Sequence, residues 1–209
     1  MEEPAPISAN DNLSWISLRP EDHGGDDYAA LVAALRAAQA RLSGAAAPPE
    51  VMQDATAKIA QIIALLAPYQ VTEDERFDGM RVDLPGRGHP LLPEYVYDEL
   101  TPERLSGRVT FTRFHLGGNG AVHGGPHSLL LDDVLGLLAS FACAGVARTA
   151  YLKVDYRALT PIDVELSFDA TVDRAEGRKC FVSGRIHRPD GVLVSEAEAL
   201  FVQLLPGQL

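Results

Sequence analysis

The hydrophobic positions change their spacing as the chain proceeds. From Tyr28 to Leu42, Leu31, Leu35, Ala38 and Leu42 recur every three or four residues, the repeat of one helix face. Gly44 ends this run. Beyond Pro48-Pro49, Val51, Ala55, Ile59, Ile62, Ile63 and Leu66 repeat the pattern as far as Pro68, which predicts a second helix. The two are expected to form a helical hairpin over about 28–67; neither face carries a cluster of reactive side chains, so its expected role is packing or a lid. Ahead of it, residues 1–27 mix Pro, Asn, Asp, Gly and Ser and read as an irregular arm anchored by Leu13, Trp15, Ile16 and Leu18. Behind it, residues 70–104 hold Pro85, Gly86, Gly88, Pro90, Pro93 and Pro102 and read as an extended linker. Its aromatic stop, Tyr95-Val96-Tyr97, could touch a ligand.

After residue 104 the spacing shortens. Between Arg108 and His115, Val109 and Phe111 alternate with Thr110 and Thr112. A glycine loop, Gly117-Gly118-Asn119-Gly120, then leads to His123-Gly124-Gly125-Pro126 and an apolar segment ending at Ala144. At 19 residues the segment is too long for a strand, and proline just after two glycines suits the first position of a helix. Such a helix spans roughly 28 Å. Its apolar side chains, Leu129 through Leu131, Val134, Leu135, Leu137, Leu138 and Phe141, surround nearly the whole circumference, so it must be wrapped. Four alternating runs supply the wrapping: Tyr151 to Ala158, Ile162 to Asp173, Cys180 to His187 and Val192 to Leu204. Turns at Glu176-Gly177 and Pro189-Asp190-Gly191 join the later ones. The pattern predicts an α+β architecture: a long buried helix inside an antiparallel sheet over residues 105–209, with residues 1–104 as an N-terminal helical extension.

Charge narrows the partners. Of the net −11, residues 1–104 carry −10 and residues 105–209 only −1. An acidic chain disfavours nucleic acid and anionic membrane, which both demand excess positive charge. Within the second half, Arg148 to Arg188 holds eight basic residues against six acidic ones, enough for a local small-anion site, although a solvated strand face accounts for each of them singly. The longest charge-free apolar run, Val134 to Ala147, has 14 residues, short of the roughly 18–20 that cross a bilayer, so no membrane insertion is expected. An acidic opening, Met1-Glu2-Glu3-Pro4, leads into no apolar segment of the secretory kind, and Cys143 and Cys180 have neither metal-type spacing nor a disulfide framework. A cytoplasmic location is the expectation.

Asp132 and Asp133 are anomalous, being adjacent carboxylates in an otherwise apolar helix. A buried carboxylate costs several kcal/mol unless it finds partners. One of them facing a sheet edge or a subunit contact would account for the pair. The alternative is chemical: the helix opens at a glycine turn whose free backbone N–H groups suit a developing anion, and a general base and an oxyanion site then share one pocket. His123 precedes the glycines and either binds a carbonyl or orients the loop, whereas His115 and His127 read as packing or surface residues. A zinc site built from His123, His127 and Asp132 is weakly supported, because His123 lies ahead of the helix and need not share a face with His127. There is no Gly-x-Ser-x-Gly elbow and no Gly-Lys-Ser/Thr phosphate loop.

The run Gly120-Ala121-Val122-His123-Gly124-Gly125, followed nine residues after the histidine by Asp132 and then by Gly136, resembles the signature of hotdog-fold thioesterases of the phenylacetate-degradation type. Thr149-Ala150-Tyr151-Leu152, Glu176-Gly177-Arg178-Lys179, Phe181-Val182-Ser183 and Ser195-Glu196-Ala197 resemble the human branch of that superfamily that hydrolyses long-chain acyl-CoA. The likeness covers residues 107–206; before residue 105 it extends only to the habit of carrying an N-terminal extension. It implies a hotdog fold and an acyl-CoA thioesterase of fatty acid metabolism that needs no cofactor and no metal. By the same resemblance Asp132 is the catalytic carboxylate, as general base or nucleophile, and Gly124 the backbone donor to the thioester oxygen. Thr149 orients water, His123 supports the motif, and Asn119 and Gly125 contact substrate. The resemblance further implies a homodimer or dimer of dimers whose site lies between subunits, with Thr149 facing Asp132 of the partner subunit. The chain departs from the bacterial pattern at Gly117, where asparagine is frequent, with Asn119 displaced by two. The interval to Thr149 is one residue longer than in the human branch, which leaves Asp133 and Ala150 as alternative matches. A non-catalytic acyl-CoA-binding hotdog module is the second functional reading. A hotdog dehydratase is a third, disfavoured by the lack of a second acid/base motif.

Overall fold

The computed structural model describes residues 20–205 and 207–208. The four expected anchors of the arm, Leu13, Trp15, Ile16 and Leu18, lie outside these residues. Two helices, α1 (Gly25–Ser43) and α2 (Pro49–Leu66), precede strands β1 (Glu94–Leu100), β2 (Arg104–Thr110), β3 (Leu116–Gly118) and β4 (Ala121–Val122). The long helix α3 (Gly124–Ala142) follows, and then β5 (Ala147–Tyr156), β6 (Glu165–Glu176), β7 (Lys179–His187) and β8 (Leu193–Gln203). Six strands form one sheet in the order β1-β2-β6-β7-β8-β5, antiparallel at every pairing, and β3 pairs with β4 in a small ribbon beside it.

The wrapped helix is present as the apolar pattern requires. Leu130, Leu131, Val134, Leu135, Leu137 and Leu138 of α3 are buried against Leu105, Val109, Leu166, Phe168, Val182, Ile186, Val194 and Phe201 on the facing side of the sheet. Helix α3 begins two residues earlier than the proline indicates, at Gly124, because the His123 side chain caps it: its Nδ1 accepts the Gly125 N–H at 3.0 Å. The strand expected from Arg108 to His115 stops at Thr110. Thr112 starts a tight turn, Arg113–His115, in which its own N–H donates to His115 Nδ1 at 3.0 Å.

Residues 70–104 are more than a linker. They carry β1, an edge strand of the sheet, so the sheet begins ahead of the 104/105 boundary. Tyr95 on that strand is 1% exposed, with its ring packed in the core.

The two N-terminal helices exist, but α2 is no partner in a hairpin, because every one of its residues is exposed. Helix α1 instead docks on the segment that precedes β1. Tyr28 Oη donates to the Gly88 carbonyl at 2.9 Å and Arg36 Nη2 to the His89 carbonyl at 3.0 Å. Buried Arg81 donates Nη1 to the carbonyls of His23 and Gly25 while its other nitrogens hold Asp83. Guanidinium groups thus satisfy loop carbonyls where no ladder does.

His127 is a packing residue. It is 2% exposed, stacks on Phe111 with ring centroids 5.1 Å apart, and shares a 2.9 Å hydrogen bond with Ser195. Burial pushes its imidazole down to about 4. The unfolded chain protonates this histidine below about 6.5 while the fold does not, so stability is expected to fall as pH drops from about 6.5 to about 4 and to level off below. The contribution is on the order of 3 kcal/mol. Urea midpoints measured across that window check this: in His127→Gln the loss should be clearly smaller than in the parent, and equal slopes would remove His127 as the cause.

Candidate active site

Two groups of residues define the site, and α3 carries both. The first lies at its N-terminus. Asn119 (φ 54°) and Gly120 (φ 74°) form the two-residue left-handed turn that joins β3 to β4, so Asn119 acts as a hairpin turn residue with its side chain exposed. A Cβ on Gly117 would come within 2.8 Å of the His123 Cα, so an asparagine at that position has no room beside this strand. The His123 N–H donates to the His115 carbonyl at 2.9 Å, which fixes the entry into the helix.

At the first helical turn the Gly125 N–H is taken by His123, and Pro126 has none. The Gly124 N–H is at the first helical position, where no intrahelical acceptor exists. Tyr156 on β5 covers this glycine: its Oη donates to the Gly124 carbonyl at 3.0 Å and lies 2.9 Å from Ser128 Oγ. A Cβ on Gly124 would sit 3.1 Å from the Tyr156 ring. Sequence reasoning missed Tyr156 and Ser128, because only the strand's docking brings them to the turn.

The second group lies two turns further on. Asp132 is half-buried, and Thr149 Oγ1 donates to its Oδ1 at 2.9 Å. Thr149 belongs to β5, whose pairing with β8 slips between Thr149 and Tyr151, leaving Ala150 as the extra residue of a bulge. The bulge directly follows the threonine whose hydroxyl lies on the helix. This contact lies within one chain, which corrects the expectation that Thr149 meets the aspartate of a second subunit.

Asp133 has different company. It is ion-paired with Arg87 and accepts a hydrogen bond from Tyr95 Oη, which in turn lies 3.1 Å from Tyr97 Oη. Burial disfavours the Arg87 charge, but Asp133 together with Tyr95 and Tyr97 outweighs it and holds the guanidinium protonated above its ordinary range. Burial likewise pushes both tyrosines up, so they remain neutral donors. Among the described residues, then, Asp133 has a cation for a partner and Asp132 a hydroxyl.

The two groups do not meet in one chain. Gly124 and Asp132 are eight residues apart on the same helix, a rise of about 12 Å. A thioester carbonyl cannot touch both within a single copy, so the shared pocket expected from their proximity in sequence is absent from the monomer. His123, His127 and Asp132 do not converge either, since His127 is buried against Ser195 and Phe111. Among the described residues no group of three His, Cys, Asp or Glu is placed to hold a metal, and no helix is long and apolar enough to cross a membrane.

Comparison with known proteins agrees with this architecture. The family model described as thioesterase superfamily matches residues 119–195. An acyl-coenzyme A thioesterase THEM4 from Xenopus laevis is 40% identical over 91 residues, 43% of this chain and 40% of the relative. THEM4 from Bos taurus is 34% identical over 140 residues, 66% of this chain and 57% of the relative. The chain therefore spans only about half the length of the curated relatives it matches. The crystal structure of RHA08564, a thioesterase superfamily protein, superposes with a TM-score of 0.69 at 28% identity, covering 84% of this chain and 94% of that one. The helix wrapped by an antiparallel sheet is the hotdog fold of the thioesterase superfamily, preceded here by an N-terminal helical segment.

Proposed function

We propose that this chain hydrolyses acyl-CoA thioesters, on a site completed by a second copy of itself. The observation that carries the reading is the Asp132–Thr149 pair: one carboxylate of two adjacent ones has no cation among the described residues, is half-exposed and is hydrogen-bonded to a hydroxyl at the rim of the helix. Its curated relatives are named acyl-coenzyme A thioesterases, and the family match spans Asp132, Gly124 and Thr149.

A water beside the Asp132–Thr149 pair gives its proton to the carboxylate as its oxygen attacks the thioester carbonyl. The carbonyl becomes an oxyanion, which the Gly124 N–H of the other copy receives. The oxyanion then collapses, the carbon–sulfur bond breaks, and the leaving thiolate recovers a proton from Asp132. Alternatively Asp132 attacks first and water hydrolyses the resulting anhydride. The about 12 Å between Gly124 and Asp132 supports a homodimer in which each site takes its donor from one chain and its base from the other. The phenylacetate-degradation type is the finer assignment we favour, on the motif around His123 and Asp132.

Steady-state release of free thiol from a panel of aromatic and straight-chain acyl-CoA esters tests the function. Saturable hydrolysis of at least one ester is expected. Tight binding of every ester with no turnover would leave the non-catalytic acyl-CoA-binding module in its place.

A further inference from the structure

The Arg87–Asp133 pair is an odd thing to build for stability. Buried ion pairs seldom out-stabilise the apolar residues that would replace them. Arg87 and Asp133 side chains are each only 14% exposed, and Arg87 Nε is buried without a hydrogen-bond partner. Arg87 also has left-handed backbone (φ 54°, ψ 28°) between Gly86 (φ 56°) and Gly88 (φ 67°), a conformation that disfavours side chains. Helix α1 holds the C-terminal side of this turn, through Tyr28 on the Gly88 carbonyl and Arg36 on the carbonyls of His89 and Leu92. The N-terminal segment thus delivers one positive charge to the residue next to Asp132.

We infer that Arg87 is a positioning residue for the reaction: by pairing with Asp133 it leaves Asp132, among the described residues, as the one carboxylate of the two without a cation, turned toward Thr149. The inference rests on the reading of Asp132 as the base. Neighbouring carboxylates resist ionising together when no cation compensates them, because each charge raises the proton affinity of the other. The groups facing Asp133 are Arg87 from the Pro85–Gly88 turn and Tyr95 and Tyr97 from β1. His89 lies in the same field but is itself 3.2 Å from Asp78. Asp132 is faced by Thr149 from β5. Tyrosines held neutral by burial donate hydrogen bonds but bring no charge, so the compensation falls to Arg87.

The pH profile of kcat/KM, measured on the full chain with an acyl-CoA ester that it hydrolyses, tests this. Removing the guanidinium in Arg87→Leu should move the acidic limb up by about one to two pH units, with activity recovered at alkaline pH. Arg87→Lys should keep the limb near its original place. Asp133→Asn, which leaves the guanidinium uncompensated, should move it down. The double variant Arg87→Leu with Asp133→Asn should bring it back, and it serves as the folded control if Arg87→Leu alone is too unstable to assay. An acidic limb that stays fixed in Arg87→Leu and Asp133→Asn alike, or a double variant that fails to restore it, overturns the inference. Full activity in Asp132→Asn would instead overturn the reading of the base, so the two failures are distinguishable.

Discussion

Asp132→Asn is expected to lower turnover by about 10²–10⁴-fold while leaving the melting temperature nearly unchanged. The amide keeps the volume of the carboxylate and its carbonyl oxygen can still accept the Thr149 hydroxyl, so the only loss is the group that takes a proton from water. The neighbouring substitution should behave in the opposite way. Asp133→Asn leaves the buried Arg87 charge unpaired, and breaking one side of such a pair costs on the order of 3 kcal/mol or more. Kinetics and thermal melts of the two variants therefore form a crossed pair. Near-normal turnover in Asp132→Asn would mean that the wrong carboxylate has been assigned the chemistry.

The second large effect concerns pairing. Gly124→Pro removes the oxyanion donor at a helical position where proline is tolerated, asking only a small retreat of the Tyr156 ring. A loss of about 10²–10³-fold in kcat is expected. Mixed with Asp132→Asn chains and reassembled, two inactive parents should regain about a quarter of the original activity, since half the dimers are mixed and each has one intact site. Asp132→Asn mixed with Thr149→Ala should regain nothing, because those residues meet within one chain. Rescue in the second mixture and none in the first would reverse the assignment of the two half-sites.

Much of the hotdog fold can be read from the sequence, because its parts advertise themselves by period. The apolar run of α3 and the alternation of β5 to β8 each follow from which face must be dry. The first strand hides: Pro90, Pro93 and Pro102 flank it, it lies at an edge, and only Tyr95 of its side chains is buried. The failure of the hairpin has another cause. Helical spacing announces an apolar face without naming what lies against it, and among the described residues nothing buries that face of α2. At the site, the paired aspartates stand out in sequence, but the distinction between them depends on Arg87, 46 residues upstream. No local pattern marks that arginine. The bulge at Ala150 is equally silent, since alternation counts residues and cannot see that one has been skipped.

The exposure of α2 has a thermodynamic consequence. The heat capacity of unfolding comes chiefly from apolar surface newly wetted when the chain opens. Val51, Met52, Ile59, Ile62, Ile63, Leu65 and Leu66 are already wet, so their 18-residue helix adds length to the chain but little curvature to its stability against temperature. Alone in water a helix of that size is marginal, and it should unravel outside the cooperative transition of the sheet and α3. Anything that comes to cover α2 would enter the calorimetric record as heat capacity that the lone chain lacks.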